Sequence, residues 1–381
     1  MSEHPTSLDV LGAGQAQSDS TYLCRTPILR PCEFVITERP RAGEPVAAVF
    51  SRVADRLAAE RAEVLSVMLY GSMAGRDLVE RAMVEALGAV AWPLTWVEGA
   101  SCDGAPIAGI QVFALNSGAP ITRVRLGSRV VASVFEDGGA RHCLLGGFGP
   151  NSVALRAPAQ VQQMFGNLEC ALDLAGFELA DVVRTWFYNE DILGWYGDFN
   201  RVRTEHYANV KWRTGSIPAS TGVSGKNPAG AALAVAAWAM RPLVPGAVAQ
   251  EVASPLQCPA PAYGSSFARA MEINSGGWRR LLVSGTASIH PGGATAWVGN
   301  PKKQIDLTME VIAAILESRG VGFPDVSRAT AYFQHPLFVP YFERWCDARD
   351  LRHMPVVFVN CDICRDDLLF ELELDTTVKA E

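Results

Sequence analysis

The sequence predicts a mixed helix-and-strand protein, α/β or α+β, in which one unit recurs along the chain and helices pack on one face of each sheet. Three observations carry this. Asp181-Val182-Val183-Arg184 and Tyr188 return as Asp325-Val326-Ser327-Arg328 and Tyr332, with Asp, Val, Arg and Tyr all 144 positions later, the mark of an internal repeat. A fainter copy lies upstream, where Glu63 to Tyr70 takes the place of Asp181 to Tyr188 at an offset of 118. Strand-like and helix-like stretches then follow one another in the same order in each copy.

The elements follow in order. Met1 to Thr21 is polar and rich in Ser and Gly, which reads as a mobile tail and not as a signal peptide. The first copy opens with a helix over 45–62, with Val46, Val49, Val53 and Leu57 on one face. Strand 63–70, helix 76–87 and strand 108–115 follow. The second copy takes strand 143–147, a helix opened by Gln160 and ended at Gly176, strand 181–188, helix 192–207 and strand 229–240. Gly at a helix end supplies the left-handed residue that stops it. The third takes strands 280–289 and 295–298, a helix from Gln304 to Gly320, strand 325–332, helix 338–349 and strand 368–374. The Pro- and Gly-rich segment 209–266 is long for a connection, a length that usually signals function. The expected divisions are a tail (1–21), a degenerate first unit (22–139), a second unit with a long insertion (140–266) and a third unit (267–381).

Composition narrows the function. With 49% hydrophobic residues among 381, the chain can bury a large core, so disorder is excluded for most of it. No apolar run approaches the roughly 20 residues that span a bilayer. A net charge of −7 without a basic cluster argues against a nucleic-acid or anionic-membrane surface. Nine scattered cysteines, an odd number, read as reduced thiols of a cytoplasmic protein. The single Cys361-Asp362-Ile363-Cys364 run is weak evidence for metal, and no metal site is assigned.

The repeated unit, with its closing strand Arg365-Asp366-Asp367-Leu368-Leu369-Phe370-Glu371-Leu372-Glu373, resembles the RidA (YjgF) superfamily. That resemblance implies the chorismate-mutase-like α+β fold and ligand sites at unit interfaces. Three copies in one chain imply an intrachain pseudo-trimer. The family's imine and enamine deaminases hold the substrate carboxylate with an Arg fifteen positions before the strand glutamate, and here that position is Val356. The chain is more similar to the chorismatase branch, tandem enzymes that release pyruvate from chorismate. The matching stretches are Arg184-Thr185-Trp186-Phe187-Tyr188, Pro218 to Val223, Ser284-Gly285-Thr286-Ala287 and Asp362 to Glu371. The resemblance makes Glu371 the catalytic acid. Gly285 and Cys364 match the members that make 3-hydroxybenzoate. The family's YGPRxPxF substrate segment is shortened here to Tyr263-Gly264-Ser265-Ser266-Phe267.

Glu371 and Cys364 are therefore the catalytic candidates. Gly285, Arg184, Tyr188, Tyr263, Ser266 and Arg269 are the substrate-binding ones. Period-2 alternation puts Leu369, Glu371 and Glu373 on one strand face; Glu371 is expected to be the proton donor and Glu373 a bystander at the rim. Burial must raise the pKa of Glu371 if it is to act as an acid near neutrality. Cys364 is expected to help remove a proton as the product ring forms. Tyr70, Tyr188 and Tyr332 share one position in all three copies, which points to packing. Gly222 to Lys226 offers a backbone nest for an anion. The resemblance implies a cofactor-free enzyme acting on a small carboxylate, able to form a homo-oligomer. An imine or enamine hydrolase and a non-catalytic small-molecule binder are the alternatives.

Overall fold

A computed structural model describes residues 16–18, 21–25, 32–116 and 120–380. The first unit runs β1 (Thr21–Arg25), β2 (Cys32–Glu38), α1 (Val46–Glu60), β3 (Glu63–Gly71), α2 (Arg76–Leu87), β4 (Leu94–Val97) and β5 (Ile107–Asn116). The second runs β6 (Arg129–Glu136), β7 (Ala140–Phe148), α3 (Ala157–Leu174), β8 (Val182–Asn189), α4 (Ile192–Tyr207), β9 (Ala219–Ser224) and β10 (Leu233–Pro242). The third runs β11 (Ala270–Ser275), β12 (Trp278–Ala287), α5 (Pro301–Glu317), β13 (Val326–Phe333), α6 (Val339–Asp347), β14 (Val356–Asn360) and β15 (Phe370–Lys379).

The three sheets share one strand order: β1-β2-β5-β3-β4, β6-β7-β10-β8-β9 and β11-β12-β15-β13-β14. In each, the strand after the first helix pairs in parallel with the strand after the second. The expected α+β fold of three tandem units is borne out. The short parallel strands β4, β9 and β14 were not anticipated, because a few residues at a sheet edge carry too little alternation to stand out from loop.

Other strands extend the edges. Ala16–Ser18 pairs with β1, so part of the stretch expected as tail is strand; residues 1–15, 19 and 20 lie outside the described residues. Thr122–Leu126 pairs with β6 in the second sheet, although both precede the expected boundary at 139. Val248–Val252 pairs with β11 in the third sheet, although it lies in the segment assigned to the second unit. The expected strand 295–298 is absent: only Thr295 bridges back to Ile289, and Trp297 then takes φ +58°, a left-handed conformation that ends pairing.

Both faces of each sheet are covered. Outside, Val49, Phe50 and Val53 of α1 pack on Val67 and Ile110, Met164, Phe165 and Leu168 of α3 on Phe187 and Val235, and Ile305, Met309 and Ile312 of α5 on Phe333 and Leu372. Inside, the three sheets pack on one another through Phe113, Phe135, Trp186, Trp238, Leu282 and Val357. Double burial is why β8 and β13 are buried along their whole length and show no solvent-facing alternation. Tyr70, Tyr188 and Tyr332 meet at the centre, fully buried, with the Tyr70 and Tyr188 hydroxyls 2.9 Å apart. No described helix is long and apolar enough to cross a membrane.

Candidate active site

The site lies where the edge of the second sheet meets the third. β9 lies beside the bulge of β12, whose pairing with β15 slips between Val283 and Thr286. Thr221 Oγ1 accepts the Gly285 N–H at 3.0 Å, and Ser284 Oγ accepts the Ser220 N–H at 2.8 Å. Two units are thus stitched together at the bulge. The cleft there spans about 500 Å³, part of it open to solvent. Its walls include Tyr196, Arg203, Tyr263, Arg269, Gly285, Cys364, Arg365 and Glu371.

Glu371 is 4% exposed. Burial first, and the charge of Glu373 second, push its carboxyl up to about 8, against the opposing pull of Arg184 and Arg269. A carboxylic acid in this state keeps its proton at neutral pH. Gly285 is what lets it sit there. A Cβ on Gly285 would stand 2.0 Å from Glu371 Oε1 and 3.2 Å from the Thr221 methyl. The close approach that a strand glycine permits is made by the acid itself. Gly285→Val should therefore lower turnover by about 10²-fold, the cost of displacing a reacting group by about 1 Å; the check is a steady-state rate on protein whose far-ultraviolet circular dichroism is unchanged.

Cys364 stands in the same wall, with its thiol pushed up to about 12 by burial and by Glu371. It is neutral at physiological pH and so is not a ready base, which alters the role expected for it. Tyr263 and Arg269 line the cleft together: the Arg269 guanidinium lies 5.3 Å from the Tyr263 ring and donates to the Cys258 carbonyl at 2.9 and 3.1 Å.

Three expected residues lie elsewhere. Arg184 is fully buried beside the cleft, donating to Glu373 Oε2 at 2.6 Å and to Thr221 Oγ1 at 2.7 Å. Tyr188 belongs to the central tyrosine cluster. Ser266 pairs with the Thr204 hydroxyl at 2.6 Å, and its neighbour Ser265 takes the place in the wall. Within Gly222–Lys226, the Ser224 N–H is engaged by the Asp362 carbonyl and the Gly225 N–H by that of Asn189. Two of the donors an anion nest would use are thus already taken.

Glu373 is no bystander. It shares a strand face with Glu371 but is wholly enclosed, flanked by Arg184 and by Arg328 Nη1 at 3.0 Å, and it accepts from Thr221. Burial raises its pKa, yet the two guanidiniums outweigh that and hold it below the usual carboxylate range. Two carboxyls on one strand therefore carry opposite protonation states.

Sequence reasoning did not select Arg203, Tyr196 or Arg365. Arg203 is 2% exposed, bonds Asn200 Oδ1 at 2.5 Å, and its Nε has no partner among the described residues. α4, whose backbone leaves helical geometry at Trp195, carries Tyr196 and Arg203 in the cleft wall. Arg203, Arg269 and Arg365 have no carboxylate partner among the described residues.

No family model matches the chain. A curated 3-hydroxybenzoate synthase from Streptomyces hygroscopicus is 29% identical over 227 residues, 52% of this chain. The chain spans 64% of the length of that relative. A crystal structure of chorismatase superposes with a TM-score of 0.65 and 20% identity over 92% of this chain and 100% of the other. The chain has the chorismatase fold. The structural likeness extends over 92% of the chain, against 52% for the sequence match. A YjgF-family protein from Mycobacterium tuberculosis is 23% identical, covering 32% of this chain and 100% of its own, with a TM-score of 0.27.

Proposed function

We propose that the protein cleaves the enolpyruvyl ether of chorismate or a close analogue to pyruvate and a hydroxybenzoate. The observation that carries this reading is a neutral, buried Glu371 in a cleft whose three arginines lack carboxylate partners. Chorismate brings two carboxylates and an electron-rich vinyl ether, and the likeness to a 3-hydroxybenzoate synthase and to the chorismatase fold supports the choice.

Glu371 donates its proton to the ether methylene, which becomes the methyl group of pyruvate, and the ether oxygen stabilises the cation left behind. Cleavage of the bond between that oxygen and the ring frees pyruvate. A second proton, lost from the ring as it becomes aromatic, restores the acid. Chorismate's atoms divide between pyruvate and hydroxybenzoate without added water, so no water need enter the reaction. The arginines bind the two carboxylates, a task for which the planar guanidinium is suited. Neutral Cys364 is a small wall residue against the ring.

The test is to incubate the protein with chorismate and measure pyruvate and the aromatic acid. Both should appear in equal amounts. Because the donor must be protonated, kcat/KM should be level near neutrality and fall tenfold per pH unit above about 8. Ammonia released from an amino-acid-derived imine, with no pyruvate from chorismate, would move the assignment to imine hydrolysis.

A further inference from the structure

The interface between the first and second units repeats the plan of the one that holds Glu371. β7 slips against β10 between Leu145 and Phe148, as β12 slips against β15. Gly147 donates its N–H to Thr95 Oγ1 at 3.0 Å, the same bond that joins Gly285 to Thr221. The register sets Trp96, opposite Leu69, where Gly222 stands opposite Phe187. It sets Ala234, opposite Tyr188, where Glu371 stands opposite Tyr332. The acid is missing, yet the cleft persists and, counted with its solvent-open mouth, spans about 1090 Å³ against about 500 Å³ at Glu371.

Its lining favours one class of ligand. Trp92, Trp96 and Phe148 supply aromatic surface, and Arg76 and Arg129 stand in the same wall. Arg76 is paired with Glu80 at 2.7 Å, whereas among the described residues Arg129 reaches only the Gly147 carbonyl at 3.3 Å. Trp92 and Trp96 are 7% and 4% exposed, and neither indole N–H has an acceptor among the described residues. Buried donors are seldom left unpaired. A flat ring bearing oxygen acceptors and one negative charge would meet the indole faces, the unpaired N–H groups and Arg129 together.

We propose that this cleft is a second, non-catalytic ligand site for a planar aromatic carboxylate, held by Trp92, Trp96 and Arg129. The assignment rests on the cleft's own lining and not on the reaction at Glu371. Without a carboxyl at Ala234 the ligand is bound and not protonated.

The test titrates the full chain with 3-hydroxybenzoate, followed by calorimetry and tryptophan fluorescence. Saturable binding should be weakened at least tenfold by Arg129→Ala, an exposed change that leaves the fold intact, and several-fold by Trp96→Phe, which removes the N–H but keeps an aromatic ring. Cyclohexanecarboxylate, of equal charge but not planar, should bind at least tenfold more weakly. An Arg269→Ala variant should keep this site. No saturation by about 1 mM ligand, binding indifferent to Arg129→Ala, or binding wholly lost in Arg269→Ala would each overturn the proposal. The rate of pyruvate release from chorismate reports on the other cleft alone, so the two readings fail separately.

Discussion

Glu371→Gln should lower turnover by about 10²–10⁴-fold while the protein still folds. Glutamine keeps the shape and hydrogen-bonding capacity of the protonated acid but has no proton to give. General acid catalysis contributes a factor of that size, about 3–5 kcal/mol of barrier. The measurement is kcat on chorismate, or on whatever enolpyruvyl ether the protein accepts, beside a thermal melt. The melt should also show a pH effect of defined sign. The folded-state pKa of Glu371 is raised to about 8 from the ordinary 4.5. Its contribution to stability is therefore fully present below the ordinary value and is lost as pH rises through about 8. The Gln variant lacks that loss and should melt higher than the parent at alkaline pH. Full turnover in the variant would remove Glu371 from the mechanism.

Glu373→Gln should destabilise the fold by about 3–5 kcal/mol, the usual cost of removing one partner from a buried ion pair. The carboxylate lies between Arg184 at 2.6 Å and Arg328 at 3.0 Å, both fully buried. Without it Arg184 keeps no carboxylate partner, and Arg328 keeps Asp375 at 2.8 Å. Urea unfolding measures the loss. A second readout separates this electrostatic role from simple packing. Glu373 is the nearby negative charge that helps hold the Glu371 proton. In the variant that survives folding, the alkaline limb of the rate profile should move to lower pH. A variant as stable as the parent, with an unshifted limb, would show that the pair contributes nothing net.

Much of the protein was legible along the chain. The 144-residue offset located the second and third units, and helices α2 and α4 fall at 76–87 and 192–207, where periodicity drew them. Glu371, Gly285, Cys364, Tyr263 and Arg269 were named from the resemblance, and all five line one cleft. Arg184 was placed among the substrate-binding candidates because a repeated Arg in a strand can face a ligand or a buried carboxylate, and its partner Glu373 lies 189 residues away. Arg203 was passed over because nothing in the helix 192–207 marks one of its arginines as facing a cleft completed by residues of the third unit.

The sequence by itself determined the repeat, the α+β class and the presence of an acid seven residues after Cys364, because periodicity and spacing are properties of the chain. The tertiary structure alone decided which of two glutamates on one strand keeps its proton. That difference of charge state arises from what neighbouring strands bring alongside: Gly285 and a desolvating wall for Glu371, Arg184 of the second unit and Arg328 of the third for Glu373. A pKa belongs to an environment assembled in three dimensions, and here that environment comes from strands that are far apart in the chain.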